Sequence, residues 1–287
     1  MKYLIFLLFF IFPHAYAQCD ITYDDCAPIG EWEFSIAVGA GKVTNPLNGG
    51  KDIPLIIIPL FSYYGERIFI DNNALGYTLY ESEIISFSGI SQVNRENSFF
   101  QRWHPNNIFI NTLTNSVISE SFIDTGSADI QEVELDDIED RKWAVDAGVQ
   151  LNWFLSPQSQ IKALLLRNIN NVHLGVNGQL ELDYLFAIPA IDNNTFILTT
   201  GLYWQSKKQV DYYYGIDKQD GVPVELLYKG NAAFSPYLKL NSHYAINQDW
   251  SFKLSFKREW LGSSVKNSPL LKDSLIDTFF MGIEYAF

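Results

Sequence analysis

Cysteine is almost absent from this chain. The 287 residues include two cysteines, Cys19 and Cys26, which lie close together near the start. No second cysteine pair accompanies them, and the next histidine is His104. Metal sites built on cysteine need such partners. In an oxidising compartment this favours a local disulfide between Cys19 and Cys26 over a metal site.

Long apolar stretches are also missing. No segment reaches the roughly 18 consecutive apolar residues of a transmembrane helix, and the mean hydropathy of -0.02 excludes a bundle of such helices. The start of the chain has its own pattern, in which Lys2 precedes a short apolar run, Leu4 to Phe12, and then Ala15-Tyr16-Ala17. This is the pattern of a secretory signal peptide. We therefore predict a signal peptide over residues 1–17 and a polar periplasmic lead-in over residues 18–30.

Positive charge is in deficit. Lys and Arg number 20 against 33 Asp and Glu, and the formal net charge is -13, so the chain lacks the electrostatic footprint of a nucleic-acid-binding protein. Catalytic motifs are missing as well, since the sequence contains no Gly-x-Ser-x-Gly, no metal-ligand spacing and no phosphate-binding loop. The histidines after the predicted cleavage site are His104, His173 and His243. We expect no enzyme, no cofactor, no metal and no nucleic-acid partner.

Aromatic residues, in contrast, are abundant. They make up 15% of the chain, an excess that the two aromatic girdles of a membrane barrel would use. The last stretch, Asp277 to Phe287, places apolar side chains at alternate positions and ends on an aromatic ring, which is typical of the closing strand of a bacterial outer-membrane barrel. We predict that its apolar face carries the signal read by the barrel-assembly machinery. This face consists of Phe279, Met281, Ile283, Tyr285 and Phe287.

The same alternation recurs along the chain. Between Trp143 and Trp153, for example, apolar side chains alternate with Asp146, Gln150 and other small or polar residues. In a membrane barrel the apolar face meets lipid and the polar face lines the lumen, whereas a soluble barrel reverses this partition. Parity alone does not say which face is inside. The predicted signal peptide and the terminal Phe287 favour the membrane.

These patterns predict an all-β fold, a transmembrane antiparallel up-and-down β-barrel over residues 31–287. It would lie in the bacterial outer membrane, in contact with lipid and lipopolysaccharide. The strands number about twelve if Arg67 to Tyr80 forms two short strands, and ten is the alternative. Short turns are expected in the periplasm and long extracellular loops, chiefly Asn94 to Asp140 and Ser206 to Gly230, on the other side.

Polar residues on the inward parity are the candidate functional residues. Either they form a small polar pore, or acids and bases pair and fill a narrow interior. The presence of both signs favours pairing. They are Glu33, Asp146, Glu181, Asp183, Lys239, His243, Lys253, Lys257, Glu259 and Glu284.

Two further motifs lie in predicted loops. The acidic run Glu132 to Asp140 either binds divalent cations or a basic partner, or is a solvated loop. The triplet Tyr212-Tyr213-Tyr214 either stacks on a carbohydrate or peptide, or packs within the loops or a girdle. The long loops also leave a surface adhesin as one class of function.

Several stretches carry a family resemblance. They are Pro59 to Ile70, Tyr212 to Ile216, Ser235 to Leu240, Asp249 to Leu270 and the closing strand. Together they resemble the MltA-interacting protein (MipA) / OmpV family of outer-membrane proteins. The resemblance implies a barrel without shared catalytic residues, in the best-known member an adaptor between a lytic transglycosylase and a peptidoglycan synthase.

That resemblance adds a murein hydrolase or synthase to the expected partners. We therefore expect a non-enzymatic scaffold or adaptor for the peptidoglycan-remodelling machinery of the cell envelope. The alternatives are a narrow diffusion channel for small polar solutes, suggested by the charged inward face, and the surface adhesin.

Overall fold

The computed structural model describes residues 29–101, 133–135, 138–189, 191 and 193–287. The predicted signal peptide, the Cys19–Cys26 disulfide and His104 lie outside these residues and stay predictions. Two short helices, α1 (Lys207–Tyr214) and α2 (Ser263–Lys266), accompany the strands. The strands are β1 (Trp32–Val43), β2 (Ile53–Pro54), β3 (Ile57–Tyr64), β4 (Ile68–Asp71), β5 (Ala74–Glu81), β6 (Ile85–Val93), β7 (Val145–Ser156), β8 (Ser159–Asn168), β9 (Val176–Phe186), β10 (Asn194–Gln205), β11 (Ala233–Ala245), β12 (Trp250–Trp260) and β13 (Leu275–Ala286).

The strands form a closed cylinder. Consecutive strands pair antiparallel, β1 pairs with both β2 and β3, and β13 returns to pair with β1. Because β2 continues the line of β3 along β1 after an interruption at Leu55 and Ile56, the wall has twelve strand positions. The predicted up-and-down barrel of about twelve strands is confirmed. The alternative of ten is wrong, because Arg67 to Tyr80 contains both β4 and β5.

The two ends of the barrel differ. At one end, which we call the turn end, tight connections such as residues 157–158 and 246–249 join the strands, and Phe287 lies there. At the opposite end, the loop end, β6 ends at Val93 and β7 begins at Val145, which are 52 positions apart in the chain, and the connection 206–232 lies there too. This asymmetry matches the prediction of short periplasmic turns and long extracellular loops.

The hairpin β4–β5 is shorter than the rest of the wall. β4 has four residues and turns into β5 at Asn72, which has a left-handed φ of 50°. Asparagine is one of the few residues other than glycine that visit this conformation routinely. β3 pairs with β4 only from Ser62 to Tyr64, whereas β1 pairs with β13 from Ser35 to Val43.

The part of β3 that lies beyond this hairpin, towards the loop end, has the sequence of a strand at a sheet edge. Phe61 exchanges hydrogen bonds with Asn72, through the backbone and through the Asn72 side chain. Towards the loop end, β3 has no further ladder partner on that side within the described part of the chain. Pro59, which lacks an N–H group, lies on this stretch, as proline in a sheet usually does at an edge.

The described parts of the connections at the loop end, among them residues 45–50, 95–101, 206–232 and 261–274, form a folded cap. The segment Ser206 to Gly230, predicted to be a loop, contains α1, whose residues Val210, Tyr213 and Tyr214 are fully buried. They pack with residues from the other connections of the loop end, including Leu47. Sequence periodicity missed this helix because an eight-residue helix shows only about two turns of the 3.6-residue pattern.

Most outward-facing side chains of the strands are apolar, and the ion pair of Arg258 with Asp277 is an exception near the loop end. Met281 and Ile283 on β13 are nearly half exposed, as are Leu180 and Leu182 on β9. A face of this kind suits contact with lipid chains. Within the described residues, no helix is long and apolar enough to cross a membrane.

This outward face yields a first expected result. Leu254 lies near the middle of β12, between outward-facing neighbours on β11 and β13. Leu254→Arg places a charge at mid-depth in lipid and is expected to lower the free energy of unfolding by about 2 to 4 kcal/mol. The measurement is urea unfolding in lipid vesicles, with Leu254→Ala as the uncharged control. Equal losses for the two variants would show that this face does not meet lipid.

Candidate functional site

Charged side chains in the lumen become more buried towards the loop end. Near the turn end, the Lys253 side chain is 27% exposed and Glu33 is open to solvent. Deeper inside, the side chains of Lys239 and Glu259 are 3% and 1% exposed. The candidate site is therefore a lumen that is accessible from the turn end and filled with side chains towards the loop end.

Glu181 on β9 organises a first buried group. Its carboxylate lies 3.1 Å from Lys162 Nζ on β8 and 3.6 Å from Lys239 Nζ on β11. It also accepts a hydrogen bond of 2.8 Å from the Tyr237 hydroxyl. The three partners lie on β8 and β11, on either side of β9. The Glu181 carboxylate therefore links these strands inside the barrel through two ion pairs and a hydrogen bond.

Arg95 joins the loop end to the lumen. After β6 the chain turns inward and forms a 3-10 turn over Glu96–Phe99, which is buried. Arg95 Nη1 and Nη2 donate to the two carboxylate oxygens of Glu259 on β12, and the Nη1 bond is 2.9 Å long. Arg95 Nε donates to Glu96 Oε1 at 3.1 Å. The Arg95 Cζ atom lies over the Tyr203 ring, 3.8 Å from the ring centroid. Burial alone would lower the pKa of Arg95, but the charges of Glu259 and Glu96 hold this pKa well above its usual value.

The inward turn is also held from the cap. The Tyr214 hydroxyl on α1 donates a hydrogen bond to Glu96, and the Tyr214 carbonyl accepts one of 2.7 Å from the Ser268 hydroxyl. Burial and the charge of Glu96 raise the pKa of Tyr214 well above its usual range. The hydroxyl therefore stays protonated and remains a donor. We call residues 95–101, with their contacts to the lumen and to the cap, the plug.

Asp146 on β7 is the centre of a third buried group. Its carboxylate accepts hydrogen bonds from side chains on two strands and two connections. Because His173 Nδ1 accepts a hydrogen bond from the Gly175 backbone N–H, we assign the proton of the neutral ring to Nε2, 3.1 Å from Asp146. The donors are Asn94, Asn168, His173 and Asn177. One carboxylate thus holds together the loop ends of β6 to β9.

The remaining predicted residues lie in the same groups or near the turn end. Lys257 lies 2.9 Å from Glu259, and Asp183 accepts hydrogen bonds from Gln160 and Thr199. Near the turn end, Glu284 pairs with Lys253 at 2.6 Å.

The last two predicted residues also lie towards the turn end. Glu33 accepts a hydrogen bond from the Ser62 hydroxyl, and His243 is half-buried across from Lys253. The structure thus brings most of the ten candidates into paired groups, while their functional roles stay predictions.

Several residues of these groups were missed by the sequence reasoning. Arg95 and Glu96 lie just after β6, and nothing in the sequence signals that this segment enters the lumen. Lys162 could have been found, because it shares the inward parity of β8 with Leu164 and Leu166, but that strand alternates weakly. His173 was seen without its partner, because Asp146 is distant in the chain.

Of the two loop motifs, the structure describes the tyrosine triplet in full and the acidic run in part. Tyr213 and Tyr214 are fully buried, and the Tyr212 hydroxyl accepts a hydrogen bond from the Lys142 backbone N–H, so the triplet packs within the cap. Only part of the acidic run is described. In it, the Glu139 backbone N–H donates to Asp220 at 3.2 Å.

The predicted assembly face lies on the outside of β13. Phe287 is 77% exposed, and its backbone N–H donates to the Phe34 carbonyl across the junction between β13 and β1. Its ring packs edge-on against the Tyr285 ring, with 5.0 Å between the ring centroids. The centroid of the Tyr285 ring lies 4.8 Å from that of Trp250. These rings form part of an aromatic belt at the turn end. Recognition by the assembly machinery stays a prediction.

Chemically, the lumen offers paired charges and hydrogen bonds. Among the residues that the structure describes, no group of three or more His, Cys, Asp and Glu side chains is arranged to hold a metal ion. His173, the more buried of the two histidines that the structure describes, has both ring nitrogens engaged in hydrogen bonds. The arrangement closes and stabilises the interior of the barrel.

Comparison with known proteins gives consistent matches. The family model described as MltA-interacting protein MipA matches residues 36–287. A 24 kDa outer membrane protein of Pasteurella multocida (strain Pm70) is 32% identical over 146 residues, which are 48% of this chain and 54% of that protein. The chain thus aligns with about half the length of that relative. The MltA-interacting protein of Escherichia coli (strain K12) is 24% identical over 260 residues, which are 90% of this chain and 91% of that protein.

One solved structure illustrates how distant the structural matches are. An outer membrane channel from Pseudomonas putida F1 is 8% identical, with 93% of this chain and 99% of that chain covered and a TM-score of 0.41. A likeness at this level carries no argument about function.

The matches agree with the architecture. The Pasteurella relative is named as an outer membrane protein, and a closed antiparallel barrel with an apolar outer face is the β architecture that such a membrane accommodates. The protein is therefore an outer-membrane β-barrel of Gram-negative type. Because the family model extends from β1 to the last residue, the chain belongs to the MltA-interacting protein MipA family.

Proposed function

We propose that this protein is a non-enzymatic scaffold of the outer membrane that binds peptidoglycan-remodelling enzymes from the periplasm. One support is the name of the Escherichia coli relative, which aligns with 90% of this chain and is called MltA-interacting protein. By analogy, a murein hydrolase is the first partner to test.

The observation that carries the proposal is the occlusion of the lumen towards the loop end. The partly buried Arg95 pairs with the buried Glu259 inside the barrel, and Tyr214 closes over Glu96 from the cap. A lumen filled in this way favours a binding role over the passage of solutes. The turn end, where Lys253 and Glu33 remain accessible, is the face that a periplasmic partner would meet.

The test is co-purification. The detergent-extracted, tagged barrel is mixed with a purified lytic transglycosylase, and binding is compared with that of an unrelated outer-membrane barrel of similar size. We expect enrichment on this protein alone. Equal recovery on both barrels would reject the adaptor role.

A narrow diffusion channel is the second candidate. The observation that favours it is the partial exposure of charged residues near the turn end, since Lys253 retains 27% of its side-chain exposure. Conductance in planar bilayers separates the two functions. Discrete single-channel steps from the folded wild-type protein would favour the channel, and a silent folded barrel would remove it.

A further inference from the structure

Polar atoms without a protein partner are concentrated near the plug. Of the buried side-chain atoms that find no hydrogen-bond partner among the described residues, three belong to one short stretch that ends β10 and forms α1. They are Gln205 Nε2, Gln209 Oε1 and the Tyr213 hydroxyl. Their residues are at most 2% exposed.

These three side chains belong to adjoining elements, the end of β10 and α1. Tyr203 and Gln205 occupy successive inward positions on β10, and Gln209 Nε2 donates a hydrogen bond of 3.0 Å to the Tyr203 hydroxyl. This bond fixes Gln209 against the inner face of β10. Gln209 and Tyr213 are four residues apart on α1, so they lie one above the other on the same side of the helix. The Tyr213 ring also lies 5.8 Å from the His173 ring, which belongs to the Asp146 group.

The chemistry of the three atoms selects the ligand. Gln205 Nε2 is a donor, Gln209 Oε1 is an acceptor and the Tyr213 hydroxyl is both. A metal cation would be repelled by the amide donor, and an anion by the amide oxygen. Burial raises the pKa of Tyr213, so its hydroxyl is neutral. A small neutral molecule that both donates and accepts fits this set, and water satisfies buried polar groups in this way.

We propose that ordered water molecules occupy a buried site between β10 and α1, where they bridge Gln205, Gln209 and Tyr213. The site joins the cap to the barrel wall beside the plug. It makes the closure at the loop end partly solvent-mediated, in addition to the direct ion pairs of Arg95.

The sign of one substitution tests this proposal. If the Tyr213 hydroxyl is bridged by water, Tyr213→Phe removes hydrogen bonds and lowers the midpoint temperature at which the folded, fast-migrating gel band is lost, by about 2 to 4 °C. If the hydroxyl is dry, its removal relieves an unsatisfied group and the midpoint stays the same or rises. An unchanged or raised midpoint therefore overturns the proposal. Tyr214→Phe, which removes the direct bond to Glu96, is the control that must lower the midpoint.

A double-mutant cycle tests the bridge itself. Gln205→Met and Tyr213→Phe have no direct hydrogen bond to lose to each other, so their effects add if no shared ligand exists. A shared water makes the loss in the double variant smaller than the sum of the two single losses. Additive losses would contradict the bridge. Should Tyr213→Phe fail to assemble, the sign of the Gln205→Met shift decides between a wet and a dry site in the same way.

Discussion

Arg95→Met is expected to lower the free energy of unfolding by about 3 to 5 kcal/mol, because it removes the cation that two buried carboxylates share. Glu96 loses its guanidinium partner, and Glu259 keeps Lys257, at 2.9 Å, as its remaining cation. Methionine keeps much of the side-chain volume, so the loss reports on charge more than on packing. The measurement is equilibrium urea unfolding in lipid vesicles, followed by tryptophan fluorescence.

Arg258→Met supplies a matched control for this result. Arg258 forms the same kind of two-nitrogen contact, with Asp277, but its side chain is 42% exposed on the outside of the wall. Exposed pairs contribute about 0 to 1 kcal/mol. Similar losses for the Arg95 and Arg258 variants would show that the plug does not depend on its buried charge.

Asp146→Leu is expected to be nearly as damaging, by about 3 kcal/mol or more. The substitution leaves the side-chain donors of Asn94, Asn177 and their neighbours buried without an acceptor, and each unsatisfied group destabilises the fold by about 1 to 3 kcal/mol. Asp146→Asn retains one acceptor oxygen and should fall between wild type and the leucine variant. The same vesicle unfolding assay ranks the three proteins.

The control for this prediction is a carboxylate on the surface of the protein. Asp249→Asn, at an exposed position in the β11–β12 turn, is the control for loss of a carboxylate alone and should be close to wild type. If Asp146→Leu is as stable as Asp146→Asn, the four-donor arrangement contributes little, and the loop ends of β6 to β9 are held by other contacts.

The strands were the predictable part of this fold, and physics explains why. From Trp250 to Lys257, strand β12 alternates strictly between apolar and polar residues, and a period of two is the direct signature of a wall with two different faces. The hairpin β4–β5 corresponds to the two short strands that Arg67 to Tyr80 had to form for a count of about twelve. Strand count followed, because an even number returns the chain to its starting side.

The interior was predictable only by halves. Parity places Glu181 and Lys239 inside the cylinder, but the sequence does not say that Glu181 on β9 lies between Lys239 on β11 and Lys162 on the adjacent strand β8, because the partners depend on register. The plug was beyond reach for a different reason. Arg95 follows the last residue pair of β6 in a polar segment, and only the closed barrel offers the buried carboxylate that draws this cation inward.

The short pairing between β3 and β4 makes the barrel mechanically uneven. A cylinder yields first where the fewest hydrogen bonds cross, and local opening is easiest in such regions. That place is the β3–β4 seam, with a ladder from Ser62 to Tyr64, and not the junction of the first and last strands. Backbone amides of β4 are therefore expected to exchange with solvent deuterium faster than those of β11, and lateral pressure from the bilayer should be absorbed as a hinge-like flexing on this side of the wall.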